Sequence, residues 1–339
     1  MRAVRQVCRS RLKAWSGLIC LALSGLLLSP SGPARAAPDS AGLDYRLQAR
    51  ALAPDVYVVE GANADFDPAN GCNIINTGFI VTGAGVLVIN SGPSRLYGEQ
   101  LRALIARTTA EPILKVLHLN QHPDYFLGNQ AFVDVPRAAT ATTQAGMQAQ
   151  AAGYTSNLYR LCGDWMKGTE AVLPSVLAQA GTERLGRREI ELLELRGHTD
   201  SDLVLIDRSS GVVFAGGLIF SQRIPTTPHA DIKAWQASLQ TLSILPHKVW
   251  VPSHGSLALA PGQTSQAETD PVAMTQHYLA WLDQAFQAAA ERGLDMVEVL
   301  NLPVPEEFRR WAGFASEYTR NVANLYPRYE QAVLRKGKH

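Results

Sequence analysis

The sequence predicts an α/β fold, because strand-like and helix-like stretches alternate in two successive halves that follow the same order. In each half, strands are followed by a helix and then by another strand. Two β-branched runs in the first half are joined by Gly83-Ala84-Gly85, which predicts a hairpin. A helix is predicted to begin after Ser94, with Leu101, Leu104 and Ile105 at helical spacing.

The predicted elements follow in chain order. In the first half, strands are expected at residues 56–60, 73–81, 86–89 and 113–117, with a helix at 95–106. An Ala- and Gln-rich helical stretch at 142–169 comes before the second half. There, strands are expected at 190–195, 203–206, 212–215 and 248–251, with a helix at 231–245. Residues 259–270 read as a loop, and two further helices are expected at 272–292 and 308–334.

Three histidines directly follow predicted strands and lie where turns begin. These are His122, His198 and His254, and Asp124 alternates with His122 so that both side chains can point into one cleft. The carboxyl ends of strands are where α/β folds place their chemistry. Imidazole nitrogens and carboxylate oxygens are the ligands that zinc prefers. These four residues are therefore the candidate metal ligands, and Asp124 is also the candidate catalytic residue.

The motifs around these residues resemble those of the metallo-β-lactamase superfamily. The patterns H-x-H-x-D-H, G-H-T, A-G-D and P-x-H-G fall on residues 120–125, 197–199, 215–217 and 252–255. Residues 71–95, 127–132, 159–170 and 225–231 are similar to the periplasmic quinoprotein relay system zinc metallohydrolases, which are associated with pyrroloquinoline-quinone-dependent alcohol oxidation. The resemblance extends from about residue 44 to residue 254. It implies a four-layer αβ/βα sandwich with extra C-terminal helices, a site between two sheets, and zinc.

Four positions depart from the pattern that this resemblance implies. Asn120 and Tyr125 stand where histidine is expected, and Gly217 and Asn90 stand where aspartate is expected. An amide oxygen is a weak zinc ligand and glycine is none. A tyrosine, with an ordinary pKa of about 10, binds only if the metal removes its proton.

The remaining ligands are His122 and His198 from one metal position and Asp124 and His254 from the other. A two-zinc site is therefore not expected, and the cofactor is predicted to be one weakly held zinc ion or none. With one ion, Asp124 would serve as ligand or base, not both. Restoring histidine at 120 and 125 and aspartate at 217 should create a two-metal site if the scaffold is otherwise intact.

Residues 1–36 read as a secretory signal, with a basic start, an apolar core at 15–28 and the cleavage site Ala34-Arg35-Ala36. An uncleaved membrane anchor is the alternative. The predicted organisation is a signal at 1–36, a metallo-β-lactamase-like domain at 37–260, and a helical extension at 261–339 packed on the same domain. We expect a periplasmic protein without a membrane span after the signal is removed.

The net charge of +1 includes the basic signal. The sequence contains no basic patch of the kind that predicts a nucleic-acid partner. Two cysteines, Cys72 and Cys162, lie beyond the signal. The sequence leaves two alternatives for this pair: the cysteines form a disulfide, or they are two unpaired residues of the core. Among the other histidines, His118 is predicted to be structural, and His229 to be either a substrate contact or a helix-start residue. His247 and His277 are predicted to lie at the surface.

Three functions compete. The first is a single-zinc hydrolase built on the four candidate ligands. The second is a pseudoenzyme, a binding or accessory protein with a periplasmic quinoprotein partner. The third, a thiol role for Cys72 and Cys162, ranks lowest because the pair is not a CxxC motif. The superfamily acts on esters, thioesters, lactams and nucleic acids, so the resemblance implies no single small-molecule substrate.

Overall fold

The computed structural model describes residues 42–259 and 270–336, so the predicted signal lies outside the described residues. Two sheets form the centre of the fold. The first contains, in spatial order, β1 (Arg50–Ala53), β2 (Val56–Val59), β3 (Thr77–Val81), β4 (Val86–Ile89), β5 (Ile113–Leu117), β6 (Arg137–Ala139) and β7 (Val176–Leu177). The second contains β15 (Ala258–Leu259), β13 (Val249–Val251), β11 (Val212–Phe214), β10 (Asp202–Asp207), β9 (Arg188–Leu195) and β8 (Gly181–Leu185). A short parallel pair joins β12 (Phe220–Ser221) to β14 (His254–Gly255).

The helices of the described chain are α1 (Arg95–Thr108), α2 (Pro123–Phe126), α3 (Ala141–Cys162), α4 (Ile232–Ser243), α5 (Pro271–Glu291), α6 (Met296–Leu300), α7 (Glu306–Arg309) and α8 (Phe314–Lys336). Ser94 caps α1 as the sequence predicts, because its side chain accepts a hydrogen bond from the Tyr97 backbone N–H. None of these helices, within the described ranges, is long and apolar enough to cross a membrane.

Successive side chains of a strand point to opposite faces of its sheet, so each strand contributes to two layers of the fold. In β4, Leu87 and Ile89 face the space between the sheets, and the alternate residues Val86 and Val88 pack under α1. In β10, Leu203 and Leu205 meet the first sheet, and Val204 faces α4, α5 and α8. Strands buried on both faces read as continuous apolar runs, as these do. The predicted four-layer αβ/βα sandwich with added C-terminal helices is confirmed.

The C-terminal helices share a core with the second sheet. Trp235 of α4 is fully buried in that core, and its indole N–H donates to the Leu218 carbonyl at 2.9 Å. Tyr278 and Phe286 of α5 and Tyr326 of α8 are buried in the same cluster. This packing places α8 beside the loop that follows β12.

Three predicted elements differ from the structure in their extent. The helical stretch predicted at 142–169 ends as an α-helix at Cys162. The helix predicted at 308–334 is broken, because Gly313 has a φ of +72° and Ala312 pairs with the backbone around Arg223. The strand predicted at 73–81 begins only at Thr77. The preceding residues form a loop in which Cys72 has a φ of +63°. The strand β6, the edge strands β7 and β8 and the helix α6 were not predicted.

Candidate functional site

The four candidate ligands lie together where strands of both sheets end. His122 directly precedes α2, and Asp124 lies in the first turn of that helix. His198 follows β9, and His254 begins β14. All four side chains are buried. The fold thus gathers the four residues into one cluster, at the turns that follow β5, β9 and β13.

Asn90 holds the loop that carries His122. Its φ of +59° lies in the left-handed region, which asparagine and aspartate tolerate better than most residues. Its side-chain oxygen accepts a hydrogen bond from the Leu119 N–H at 3.0 Å. The asparagine thus retains a supporting contact at a position where the resemblance implies aspartate.

Asn76 connects the loop before β3 to the loop that carries His254. Its side-chain amide donates to the carbonyls of Pro252 at 3.0 Å and Gly255 at 2.9 Å. Its own N–H donates to the Ser253 carbonyl at 2.8 Å. Asn76 therefore holds the loop on both sides of His254 in the sequence, at Ser253 and at Gly255.

Asp124 and His254 are bound to each other. The His254 Nε2 lies 2.8 Å from the Asp124 carboxylate, and the ring stacks on Phe220 with centroids 5.2 Å apart. Burial alone would raise the pKa of Asp124, but the hydrogen bond and the nearby His254 hold it below its usual value. Burial lowers the pKa of His254. Asp124 is thus an anion whose direct partner is a buried histidine.

His122 is paired with His229. The His122 Nε2 lies 3.1 Å from the His229 Nδ1, so one of these nitrogens carries the shared proton. Burial and the neighbouring histidines His198 and His229 lower the pKa of His122 well below its usual value. His229, for which the sequence left two roles open, therefore lies in the site beside a candidate ligand.

The imidazole of His198 fills the space beside Gly217. A Cβ atom added at Gly217 would overlap the His198 Nδ1 and the Asn120 side-chain amide. That amide lies 3.3 Å from the same Nδ1, and the His198 Nε2 lies 3.3 Å from the Thr226 hydroxyl. An aspartate at 217 has no room unless His198 moves.

Tyr125 is fully buried, and its hydroxyl has no hydrogen-bond partner among the described residues. Burial and the charge of Asp124 raise its pKa well above the usual value. The phenol is therefore held in its protonated form, which is not a metal ligand.

A cleft of about 370 Å³ opens beside the cluster. His122, Asp124, His229 and His254 line it, and His198 does not. Helix α3 supplies Gln150, Tyr154, Asn157, Arg160 and Leu161, and α8 supplies Glu317, Arg320 and Asn324. Phe66, Ile74 and Arg223 also line the cleft.

A disulfide between Cys72 and Cys162 ties the end of α3 to the loop before β3. The sequence left open whether these cysteines are paired, and in the structure they form a disulfide. Because α3 and residues of that loop line the cleft, the bond holds two of its walls together.

A family model described as the metallo-beta-lactamase superfamily matches residues 70–254. This chain belongs to that superfamily. The match includes all four candidate ligands and ends at His254, before α5 begins. A search of curated proteins finds no match.

Solved structures share the fold. A metallo-beta-lactamase from Pontibacter korlensis is 21% identical, with a TM-score of 0.54 over 69% of this chain and 99% of that one. One from Hirschia baltica is 16% identical, with a TM-score of 0.52 over 69% and 97%. The stereoselective inverting sec-alkylsulfatase Pisa1 from Pseudomonas sp. is 17% identical, with a TM-score of 0.63 over 84% of this chain and 50% of that one. At these identities the likeness shows the fold.

Within the described part of this superfamily member, no group of three or more His, Cys, Asp or Glu side chains is arranged to hold a metal ion. The reason lies in the pairings above. Asp124 and His254 bind each other, His122 binds His229, and His198 occupies the space of the missing aspartate. The residues present do not fit the two-zinc arrangement of metallo-hydrolases.

The other histidines of the described residues lie outside the cleft, and the two predicted at the surface are there. His118 is buried outside the cleft, with its Nδ1 3.0 Å from the Tyr125 carbonyl. His247 and His277 are exposed. Arg223 and Tyr154 were not predicted. The only sequence signal for Arg223 is a single charge between an apolar run and Pro225, and such a signal is weak.

Proposed function

We propose that this protein uses the metallo-β-lactamase fold as a ligand-binding accessory protein and does not carry out metal-dependent hydrolysis. The observation that carries the proposal is the position of His198. Its ring fills the volume that a bridging aspartate at 217 would need. The other candidate ligands are engaged with protein partners: Asp124 with His254 at 2.8 Å, and His122 with His229 at 3.1 Å.

The competing proposal is a hydrolase with one weakly held zinc. The proximity of His122 to His198, with ring centroids 4.6 Å apart, and of Asp124 to His254 favours it. For one ion to bind all four residues, however, the His122 and His254 rings would have to leave their present partners. A buried group that loses its hydrogen-bond partner costs about 1–3 kcal/mol, which the metal would have to offset.

The test is elemental analysis of the mature protein after zinc loading and desalting, with hydrolysis assays on a β-lactam and an alkyl sulfate. We expect less than one zinc per chain and no hydrolysis. The variants His122→Ala and His254→Ala are compared with His247→Ala, which removes an exposed histidine away from the cleft. This control separates binding at the site from binding at surface histidines.

Hydrolysis by the zinc-loaded protein, lost in His122→Ala and His254→Ala but kept in His247→Ala, would replace this proposal with the single-zinc hydrolase. Two zinc ions per chain would show that Tyr125 and Gly217 do not prevent a two-metal site.

We also propose that the protein is periplasmic and serves a quinoprotein alcohol-oxidation system. The support is the sequence resemblance over residues 71–95 and 159–170, together with the signal-like residues 1–36. A disulfide is typical of an oxidising compartment. Co-purification from periplasmic extracts under mild conditions would identify the partner, and recovery of the protein only from the cytosolic fraction would contradict the location.

A further inference from the structure

The guanidinium of Arg223, in the wall of the cleft, has more nitrogen atoms without a hydrogen-bond partner than any other described residue that lines the cleft. The side chain is 1% exposed and lines the cleft. Its Nε and Nη1 have no hydrogen-bond partner among the described residues. Its Nη2 lies 3.5 Å from Glu317 and 4.0 Å from Asp65. Charge-assisted hydrogen bonds are normally about 2.7–2.9 Å long, so both contacts are loose.

The two acidic neighbours are bound more closely by another arginine. Arg320 lies 2.8 Å from Glu317 and 3.1 Å from Asp65. Burial also raises the pKa of Glu317, although both arginines oppose that shift. These carboxylates therefore balance the positive charge of Arg223 only in part. The three N–H groups on its Nε and Nη1 have no close acceptor among the described residues.

Tyr154 adds a second unsatisfied donor to the same cleft. Its hydroxyl is buried and has no partner among the described residues. Burial, with a contribution from Asp124, raises the pKa of this phenol, so the hydroxyl keeps its proton and can donate. A group that satisfies both Arg223 and Tyr154 must offer acceptor oxygens, and a guanidinium prefers acceptors that are anionic.

The rest of the cleft limits what carries these oxygens. Phe66, Ile74 and Leu161 give the lining an apolar part, and the volume of about 370 Å³ suits a small molecule. Arg160 adds a positive charge from the exposed side of α3. The charge of Asp124 is opposed by its hydrogen bond with His254, which reduces its repulsion of an anion.

We propose that the cleft binds a small organic anion whose carboxylate or sulfate oxygens accept hydrogen bonds from Arg223 and Tyr154. The apolar body of the ligand packs against Phe66, Ile74 and Leu161. The inference rests on the proposed binding role of this cleft, and it names the class of ligand. A planar guanidinium can bind two oxygens of such a head group at once, which an ammonium group does not do.

The experiment is calorimetric titration of the mature protein with hexanoate and hexyl sulfate, in the presence of a chelator so that no metal contributes. Hexanol, which has the same apolar chain without the charge, is the ligand control. We expect binding of at least one of the two anions and none of hexanol. The stronger of the two identifies the preferred head group.

Three variants test the assigned residues. Arg223→Gln should weaken binding by about 10- to 100-fold, because it removes hydrogen bonds made by a charged group. Tyr154→Phe removes one hydroxyl and should weaken binding by about 3- to 10-fold. Arg137→Gln removes a buried arginine that lies outside the cleft, and should change the affinity by less than about twofold.

If Arg223→Gln does not fold, Tyr154→Phe remains decisive, because this substitution only removes a hydroxyl that has no hydrogen-bond partner among the described residues. The inference would be overturned if neither anion binds, or if hexanol binds as tightly as the anions. Unchanged affinity in the variant that folds would also overturn it. Since every titration is metal-free, failure here leaves the zinc result untouched. Conversely, zinc-dependent hydrolysis in the earlier test would overturn the proposed function and leave these affinities standing.

Discussion

The two sides of the cleft differ in how their polar groups are satisfied. On the histidine side (His122, Asp124 and His254, together with His198 of the same cluster, which does not line the cleft), each residue has a protein partner within 3.3 Å. On the arginine side (Arg223 and Tyr154), donors remain without acceptors among the described residues. Buried polar groups are nearly always hydrogen-bonded, so the unsatisfied side is the one where a ligand is expected.

This difference suggests how the scaffold has changed relative to the pattern of its superfamily. Where Asn120 and Gly217 stand in place of a histidine and an aspartate, the remaining imidazoles contact each other and the neighbouring side chains. The histidines form only part of the cleft wall, because residues of α3 and α8 also line the cleft and the disulfide holds α3 to the loop before β3.

The largest expected effect comes from breaking the bond that holds α3 over the arginine side. Replacing Cys72 and Cys162 with serine should lower the free energy of unfolding by about 2–5 kcal/mol, because the unfolded chain loses a long closed loop. Chemical denaturation measures this loss. Hydrogen exchange should show weaker protection in α3 than in β9 and β10.

The oxidised protein should also contain no free thiol beyond the signal, as judged by thiol titration before and after reduction. Two reactive thiols, or equal stability of the double variant, would mean that α3 is held alone by the packing of its Met147 and Leu158 in the cluster with Phe126.

A second prediction concerns His118, the buried histidine next to the histidine side. Burial lowers its pKa to about 4 from the ordinary 6.5. Between these values the unfolded chain binds a proton that the folded chain does not, so stability falls as the pH drops from 6.5 to 4. The contribution of this residue over that window is about 3 kcal/mol.

His118→Asn keeps a donor for the Tyr125 carbonyl and removes the titration. The variant should therefore lose about 3 kcal/mol less than the wild type between pH 7 and pH 4 in denaturant unfolding. His247 also contacts a backbone carbonyl through its Nδ1, at 2.9 Å, but it is exposed. His247→Asn is therefore the control for the same substitution at a surface histidine. An identical acid loss in all three proteins would show that His118 does not control it.

Much of the fold was predictable from the sequence because of its buried strands. The apolar runs of β4 and β10 and the hairpin at Gly83-Ala84-Gly85 identify both halves. The edge strands β7 and β8 were missed, since β7 is only two residues long and β8 is mostly exposed. The break before α8 arises from a pairing with Arg223, some 90 residues away, which no local pattern encodes.

The site was predictable at the level of residues but not at the level of their partners. His122 and His254 could be found because histidines directly after strands are conspicuous. The pairing of His122 with His229 joins residues 107 positions apart, and the contact between Asn120 and His198 spans 78. Such contacts depend on how the loops pack. For the same reason, no sequence pattern pointed to Arg223.

The smallest effect is also the sharpest test of the histidine side. Gly217→Ala should cost about 1–3 kcal/mol, because its methyl group would overlap the ring of His198. Gly153→Ala is the matched control. In the described part of the chain, no atom outside its own helix turn lies within 4 Å of a Cβ added at this position of α3. Alanine also favours a helix, so stability should stay equal or rise by up to about 1 kcal/mol.

His198→Ala combined with Gly217→Ala should cost less than the sum of the two single changes, since the alanine at 198 removes the ring that the methyl group meets. If Gly217→Ala is instead as mild as Gly153→Ala, the His198 ring can move aside at little cost. An aspartate at 217 would then fit, and the triple change Asn120→His, Tyr125→His and Gly217→Asp should bind two zinc ions. A large cost for Gly217→Ala predicts that the triple variant stays metal-poor until His198 is also repositioned.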